Sequence, residues 1–167
     1  MQTETANQAT RVTAPPARWF IANRVRILVD GRATRGAFDQ VEAVAPHGDM
    51  PPLHVHRDAE ECFTVLEGEL ELYVGDALLR VGPGESTVAP RGVPHTYRVA
   101  SGEPVRMLVT SSPAGFASFV LASSDEAEGD GLPPEGRPVD LALLGREAAA
   151  IGIELLGPPG MLPRDLA

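Results

Sequence analysis

Three histidines and a pair of glutamates have types and spacings that suit one metal ion. His54 and His56 are separated by one residue, and alternate residues of a β-strand point to the same side, so both imidazoles can face one interior. Glu60 and Glu61 follow a short polar turn, and His95 belongs to a much later segment. Three neutral imidazoles and one carboxylate suit a divalent first-row metal ion and leave one or two coordination positions open. An open position is a feature of catalytic rather than structural metal sites.

Short strands separated by turns must position these side chains. The chain has 167 residues, of which 17 are Gly and 16 are Pro, a composition that favours many turns over long helices. Alternating apolar and polar residues predict strands that carry the candidate ligands at 53–56, 61–66 and 95–99. Strands at this even spacing, divided by Gly/Pro turns, are typical of a sandwich or barrel. The other predicted strands are 25–29, 38–45, 70–74, 78–81, 86–89 and 105–110.

The pattern changes after the last predicted strand. Residues 115–122 and 139–151 have helical periodicity, and the second of these places Leu141, Leu144 and Ala148 on its inner stripe. Residues 123–138 are acidic and rich in Gly and Pro, which predicts a loop. The chain therefore divides into a polar arm at 1–16, a barrel with a short helix at 17–122, and a loop, helix and tail at 123–167.

Two motifs in the chain read Gly48-x5-His54-x-His56-x4-Glu61-x6-Gly68 and Gly84-x5-Pro90-x-Gly92-x2-His95. They resemble the two motifs of the cupins. The first motif of that family matches position for position, and the second matches except that its usual Asn is replaced by Val99. The wider resemblance covers residues 18–122 and points to small bacterial single-domain cupins of the quercetin-dioxygenase-like kind. It implies an all-β fold, a double-stranded β-helix or jelly-roll barrel with a short C-terminal helical appendage, often dimeric.

The resemblance also distinguishes between the two glutamates. The cupin motif places its carboxylate ligand seven residues before the closing glycine, and counting back from Gly68 gives Glu61. Glu60 is then expected to be a solvated turn residue or a partner of the ligands. The cofactor is expected to be one divalent ion, with Fe, Mn, Ni, Co, Cu and Zn all left open. The expected ligands are His54, His56, Glu61 and His95. The fourth histidine, His47, is expected to cap a loop or lie in solvent, with the pocket mouth as the alternative.

Strand parity predicts which residues lie beside the metal. Phe63 and Val65 share the face of Glu61, while Tyr97 and Val99 share the face of His95. These four side chains would form an apolar, aromatic-edged cavity suited to a flat ligand. The alternative is that they simply fill the core of a small barrel. Tyr97 is a candidate to orient a substrate oxygen or to donate a proton.

Three functions remain open on this basis. The resemblance implies a metal-dependent dioxygenase acting on a small aromatic or enol-type substrate, with flavonol ring cleavage as the type reaction and Glu61 as both ligand and base. A metal-assisted isomerase, cyclase or lyase that does not use O2 would need the same four ligands. A non-catalytic barrel that binds a small molecule is the third alternative.

Charge and composition exclude some partners. The net charge is −9, with 14 basic and 23 acidic residues, which argues against binding to nucleic acid. The longest early apolar run, 20–29, is short and contains Arg24 and Arg26, so no membrane span is expected. A single cysteine, Cys62, cannot form an internal disulfide, and the N-terminus lacks the apolar core of a signal peptide. We therefore expect a cytoplasmic protein whose partner is a small-molecule substrate, joined by O2 if the chain is a dioxygenase. The resemblance also implies a homodimer.

Overall fold

The computed structural model describes residues 11–166, which form two antiparallel β-sheets and two short α-helices. The helices are α1 (Phe116–Ala122) and α2 (Leu141–Ala150), and a 3-10 turn covers Pro163–Asp165. The strands are β1 (Arg18–Phe20), β2 (Asn23–Val29), β3 (Asp39–Ala45), β4 (Leu53–His56), β5 (Glu60–Glu67), β6 (Leu70–Val74), β7 (Ala77–Val81), β8 (Ser86–Ala89), β9 (His95–Val99), β10 (Val105–Ser112), β11 (Asp125–Glu126) and β12 (Ile153–Gly157).

The two sheets are built from strands that are distant in sequence. The seven-stranded sheet has the order β11-β1-β2-β3-β10-β5-β8, and the five-stranded sheet has the order β12-β4-β9-β6-β7. Burial alternates along β2 and β3, as expected for strands with one face on the core and one in solvent. This arrangement confirms the expected all-β jelly-roll barrel with short helical parts.

The core lies between the inward faces of the two sheets. Leu53, Leu70 and Leu72 of the five-stranded sheet are fully buried, as are Val41 and Val65 of the seven-stranded sheet. Branched side chains from opposing sheets interdigitate in this way to fill a barrel of this size. The packed interior holds the strands that carry the candidate ligands at fixed spacing.

The C-terminal segment also joins the barrel. Asp140 caps α2 by accepting a hydrogen bond from the backbone N–H of Leu143 at 2.9 Å. Leu144 and Ala148 of α2 are buried, but Leu141 is 73% exposed. The prediction for Leu141 is therefore wrong, because the helix begins at this residue and its buried stripe starts one turn later. Strand β12 follows α2 and pairs with β4.

The predicted division of the chain into an arm, a barrel and a C-terminal segment can be compared with the structure only in part. Residues 1–10 of the predicted arm lie outside the described residues, and 11–16 have no regular secondary structure. The boundary drawn at residue 122 stays a prediction. Within residues 11–166, neither α-helix has the length or the apolar character needed to cross a bilayer.

Candidate metal centre

The four predicted ligands come from three strands of two sheets. His54 and His56 lie on β4, and His95 begins β9, where it is the cross-strand partner of His54. Glu61 lies on β5 in the other sheet. The i, i+2 spacing brings both imidazoles of β4 to the interior, and the facing sheet supplies the carboxylate. The site therefore bridges the two halves of the barrel.

The ligand atoms converge on one carboxylate oxygen. Oε2 of Glu61 lies 3.1 Å from Nε2 of His95, 3.6 Å from Nε2 of His56 and 3.9 Å from Nε2 of His54. One potential ligand atom from each of the four residues lies within 4.8 Å of those of the other three. His56, Glu61 and His95 are buried, and the side chain of His54 is 14% exposed. The cluster is thus compact and nearly closed to solvent.

Backbone carbonyls orient two of the imidazoles. Nδ1 of His54 donates to the carbonyl oxygen of Pro52 at 2.8 Å, and Nδ1 of His95 donates to that of Val93 at 2.9 Å. A carbonyl oxygen can only accept, so Nδ1 of each ring carries the proton. In the neutral form of each ring the Nε2 lone pair is then available at the centre of the cluster, as a metal ligand requires.

The electrostatics of the cluster keep the carboxylate charged. Burial by itself raises the pKa of Glu61, but the neighbouring imidazoles of His56, His54 and His95 together hold it well below its usual range. Burial lowers the pKa of His56, and the nearby His54 and His95 act in the same direction. The pKa of His95 is raised, because its hydrogen bond to Glu61 and the charge of that carboxylate outweigh the effect of burial.

The donor set fits a divalent metal ion. Nε2 of His56 is buried and has no hydrogen-bond partner, although a buried polar nitrogen normally has one. A cation at the centre would satisfy this nitrogen, and it would displace the proton that Nε2 of the protonated His95 ring donates to Glu61. Three imidazole nitrogens and one carboxylate suit first-row metals, so His54, His56, Glu61 and His95 could hold such an ion.

The other two candidates considered from sequence lie outside the cluster. Glu60 points to solvent and pairs with Arg91, with 3.2 Å between Oε1 and the guanidinium. His47 is exposed, and its Nδ1 lies 2.5 Å from the carbonyl oxygen of Ser101. Adjacent residues of a strand face opposite sides, which explains why Glu61 is inside while Glu60 is outside.

An apolar cavity adjoins the cluster. It has a volume of about 90 Å³ and is partly open to solvent, and both His54 and Glu61 contribute to its wall. Of the predicted pocket residues, Phe63 and Tyr97 line it, with ring centroids 5.9 Å apart in an edge-to-face arrangement. Val65 and Val99 are buried in the core and are not part of the wall. The cavity also borders on aromatic and aliphatic side chains of the C-terminal part: Phe116, Phe119, Leu144, Ile153 and Leu155.

Two polar residues of the cavity wall were not found from sequence. Asn23 begins β2, and Asp49 lies in the loop before β4. Asn23 donates to the hydroxyl of Tyr97 at 3.1 Å, and that hydroxyl donates to Asp49 at 3.2 Å. Asp49 lies next to Gly48 of the first motif, but nothing in the sequence connects Asn23 with Tyr97.

Comparisons with known proteins agree with this architecture. Residues 40–111 match the cupin domain family. Over 75 residues the chain is 37% identical to quercetin 2,3-dioxygenase of Bacillus subtilis (strain 168). This alignment covers 45% of this chain and 22% of that enzyme. The chain therefore aligns with about a fifth of the length of this curated relative.

Solved structures share the fold at low sequence identity. KdgF from Halomonas sp. has a TM-score of 0.52 at 17% identity, covering 59% of this chain and 86% of that one. A predicted oxalate decarboxylase from Thermotoga maritima has a TM-score of 0.55 at 16% identity. The superposition covers 60% of this chain and 93% of the decarboxylase chain. At such identities the likeness concerns the fold alone.

Proposed function

We propose that this chain, a member of the cupin superfamily, is a metal-dependent dioxygenase that acts on a small aromatic or enol-type substrate. The observation that carries the proposal is that His54 and Glu61 belong both to the candidate ligand cluster and to the wall of an apolar cavity. A substrate in that cavity would meet the cluster directly. The 37% identity with a quercetin 2,3-dioxygenase over 75 residues supports the choice of oxygen chemistry.

In this proposal the four clustered side chains hold one divalent ion. The ligands are the Nε2 atoms of the three histidines and the carboxylate of Glu61, and the ion is one of Fe, Mn, Ni, Co, Cu and Zn. When bound, such an ion would polarise a substrate oxygen and, if redox-active, would support reaction with O2. The remaining steps depend on residues of the chain itself.

Glu61 is the proposed base. Its pKa is held well below the usual range of a carboxyl, mainly by His56 and the other imidazoles acting against burial, so it is ionised at neutral pH. It lies in the cavity wall, where a carboxylate oxygen can accept the proton of a substrate hydroxyl or enol. Removing that proton leaves the electron-rich form of the substrate on which a dioxygenase acts.

Tyr97 and Phe63 orient the substrate in this proposal. Burial, reinforced by the charge of Asp49, raises the pKa of Tyr97 well above its usual value, so the phenol keeps its proton. That proton is donated to Asp49 at 3.2 Å, so in this proposal Tyr97 orients the substrate through its oxygen, which can accept a hydrogen bond, and does not donate a proton to it. The two rings form an aromatic edge to the cavity that suits a flat ligand.

The cavity size favours a small substrate. Its volume of about 90 Å³ is below the roughly 150 Å³ of a cavity that binds benzene, and well below the roughly 300–1,000 Å³ of typical ligand pockets. A three-ring flavonol would require the cavity to open. Because the cavity is partly open to solvent, a single-ring or open-chain enol can enter it with part of the molecule outside, and we propose a substrate of this size.

The test is oxygen uptake by protein of known metal content. Untagged protein is loaded separately with each of the six metals, and the metal is measured by elemental mass spectrometry. Each form is then mixed with catechol, acetylacetone or quercetin in an oxygen electrode. The proposal expects near-stoichiometric metal and oxygen consumption equal to substrate loss in at least one redox-active form, and none in metal-free protein.

Other outcomes separate the alternative functions. Anaerobic conversion of a substrate by the zinc form would replace the dioxygenase with a Lewis-acid isomerase, cyclase or lyase. Tight binding with no conversion would leave a binding barrel. A homodimer and a cytoplasmic location are further proposals that the resemblance supports, and light scattering tests the first of them.

A further inference from the structure

A second polar group lies in the cavity wall apart from the ligand cluster. Most of the wall is apolar, and besides His54 and Glu61 its polar side chains are Asn23, Asp49 and Tyr97. These three are joined by hydrogen bonds: the amide of Asn23 donates to the hydroxyl of Tyr97, which donates to Asp49. We call Asn23, Tyr97 and Asp49 the polar triad. Polar groups in an otherwise apolar pocket fix the orientation and identity of its ligand.

The direction of these hydrogen bonds determines which atoms of the triad remain free to bind a ligand. Tyr97 has a single hydroxyl proton, and the Asp49 carboxylate accepts it at 3.2 Å. The Tyr97 oxygen can then only accept from Asn23, so the Asn23 nitrogen faces it at 3.1 Å. The amide oxygen of Asn23 therefore points away from Tyr97. The chemistry of the neighbours thus fixes the orientation of the amide.

That amide oxygen has no partner. Asn23 is 7% exposed, and its Oδ1 is buried without a hydrogen bond. Leaving a buried acceptor unsatisfied is unfavourable, and such groups in native proteins usually meet a ligand or an ordered water. Asn23 is a residue of the cavity wall, so a molecule bound there lies next to this amide, and we infer that a hydrogen-bond donor on that molecule satisfies its oxygen.

The triad is close to the cluster. Tyr97 follows His95 by two residues on β9, and two residues of a strand span about 7 Å. One small molecule can therefore contact both groups. Its oxygen would meet the cluster at one end, and its donor would meet Asn23 at the other.

We propose that the polar triad is a specificity site which selects substrates carrying a hydrogen-bond donor opposite the oxygen that meets the cluster. Asn23 accepts that donor, while Tyr97 and Asp49 hold the amide in the orientation that leaves its oxygen without a partner in the protein. This inference rests on the proposed function for the end of the ligand that meets the cluster. It adds the substrate class: a small enol or phenol with a second hydroxyl, amide or amine group.

The test uses three phenols that differ only at the para position. Hydroquinone carries a donor there, 4-methoxyphenol carries only an acceptor, and 4-methylphenol carries neither. Each is titrated calorimetrically into zinc-loaded protein, which avoids oxidation of the probes. We expect hydroquinone to bind at least tenfold more tightly than the other two, well beyond the factor of two that its symmetry supplies.

The variants are chosen to isolate the acceptor. Asn23→Leu should bind all three phenols within about twofold of one another while retaining its zinc, and Asn23→Ala repeats the test without added bulk if the leucine variant misfolds. Asn23→Thr restores an acceptor oxygen and should recover part of the preference. Tyr97→Phe should weaken the preference, because the amide is then free to rotate.

The result separates this inference from the proposed function. Equal binding of the three phenols by the wild-type protein, or no binding of any at millimolar concentration, would overturn the specificity site even if oxygen uptake is observed. A preserved preference in Asn23→Leu would overturn it as well. If the preference is present and lost in Asn23→Leu while no oxygen is consumed, the specificity site stands and the dioxygenase proposal fails.

Discussion

At the scale of single residues, two adjacent glutamates have opposite roles because a strand alternates its faces. Glu61 points into the barrel and lies 3.1–3.9 Å from three imidazoles, whereas Glu60 pairs with Arg91 at the surface. Their chemical identity makes them a matched pair for mutation. Any difference between the two variants reports position rather than side-chain type.

Removing Glu61 is expected to strip the metal while removing Glu60 is not. Loss of residues that merely support a ligand lowers metal affinity about 10–100-fold, so loss of the ligand should lower it by at least that factor. We expect Glu61→Ala to lose most of its metal by elemental mass spectrometry, as do His54→Ala, His56→Ala and His95→Ala. Glu60→Ala should retain it. If Glu60→Ala lost the metal and Glu61→Ala retained it, Glu60 rather than Glu61 would be the ligand.

The charged form of Asp49 is expected to lower the free energy of unfolding at neutral pH. Burial raises its pKa, although hydrogen bonds from Tyr97, Asn23 and Met50 oppose the shift. A raised carboxyl pKa means that the folded state binds the proton more tightly than the unfolded chain does. The stability cost is therefore absent below the unfolded pKa of about 3.9, appears as pH rises toward the folded pKa and is complete above it.

Asp49→Asn removes this charge and should stabilise the protein at pH 7. We expect a rise in Tm of about 2–4 °C, equivalent to roughly 1 kcal/mol for a domain of this size, since the amide can still accept from Tyr97. The gain should shrink as pH falls toward about 4. Thermal unfolding of both proteins between pH 4 and pH 8 measures it, with Asp130→Asn at the exposed surface as control. A gain that does not depend on pH would contradict this account.

At the scale of elements, local patterns predicted most of the barrel. The bounds of β4, β8 and β9 agree with the sequence prediction, because each strand lies between turn residues and alternates its faces. Local pattern was insufficient for β12, whose apolar run becomes a strand only through pairing with β4 about 100 residues earlier. Local pattern was equally insufficient for the polar triad. Its members lie on β2, on a loop and on β9, and only the folded chain brings them together.

Strand β12 supports the ligand-bearing strand. Ile153 pairs with His56 and Leu155 with His54, and the carbonyl oxygen of Gly152 accepts from the backbone N–H of Arg57 at 2.9 Å. Gly152 has a φ of +75°, and a Cβ built there would lie 2.9 Å from Oδ2 of Asp58. A residue with a side chain is strained in this conformation. The start of β12 therefore depends on a glycine.

Two glycine substitutions should have opposite effects. Gly152→Ala is expected to destabilise the protein by about 1–3 kcal/mol through backbone strain, and to speed hydrogen exchange of the β4 amides. Gly145→Ala, within α2 and with open space around its Cβ, should stabilise by about 0.5–1 kcal/mol. Chemical denaturation gives both values. Unchanged exchange in β4 of the Gly152→Ala variant would show that β12 does not support the ligands.

At the scale of the whole molecule, the candidate metal centre connects the two sheets. Three ligands belong to the five-stranded sheet, and Glu61 alone belongs to the seven-stranded sheet. A metal ion held by all four would therefore resist separation of the two sheets. Three histidines without the glutamate would remain on one sheet only.

Metal binding should consequently raise the unfolding temperature, and Glu61 should account for most of the rise. A ligand at about 100 times its Kd stabilises the folded state by roughly 2.7 kcal/mol, which corresponds to about 5–11 °C for a domain of this size. We expect the wild-type protein to show this shift on addition of zinc and to lose it with a chelator. Glu61→Gln should bind at least tenfold more weakly and shift by about half as much or less at the same zinc concentration, while Glu60→Gln should match the wild type. Differential scanning calorimetry measures all three. Equal shifts in Glu61→Gln and the wild type would mean that metal binds on one sheet alone and does not connect the halves of the barrel.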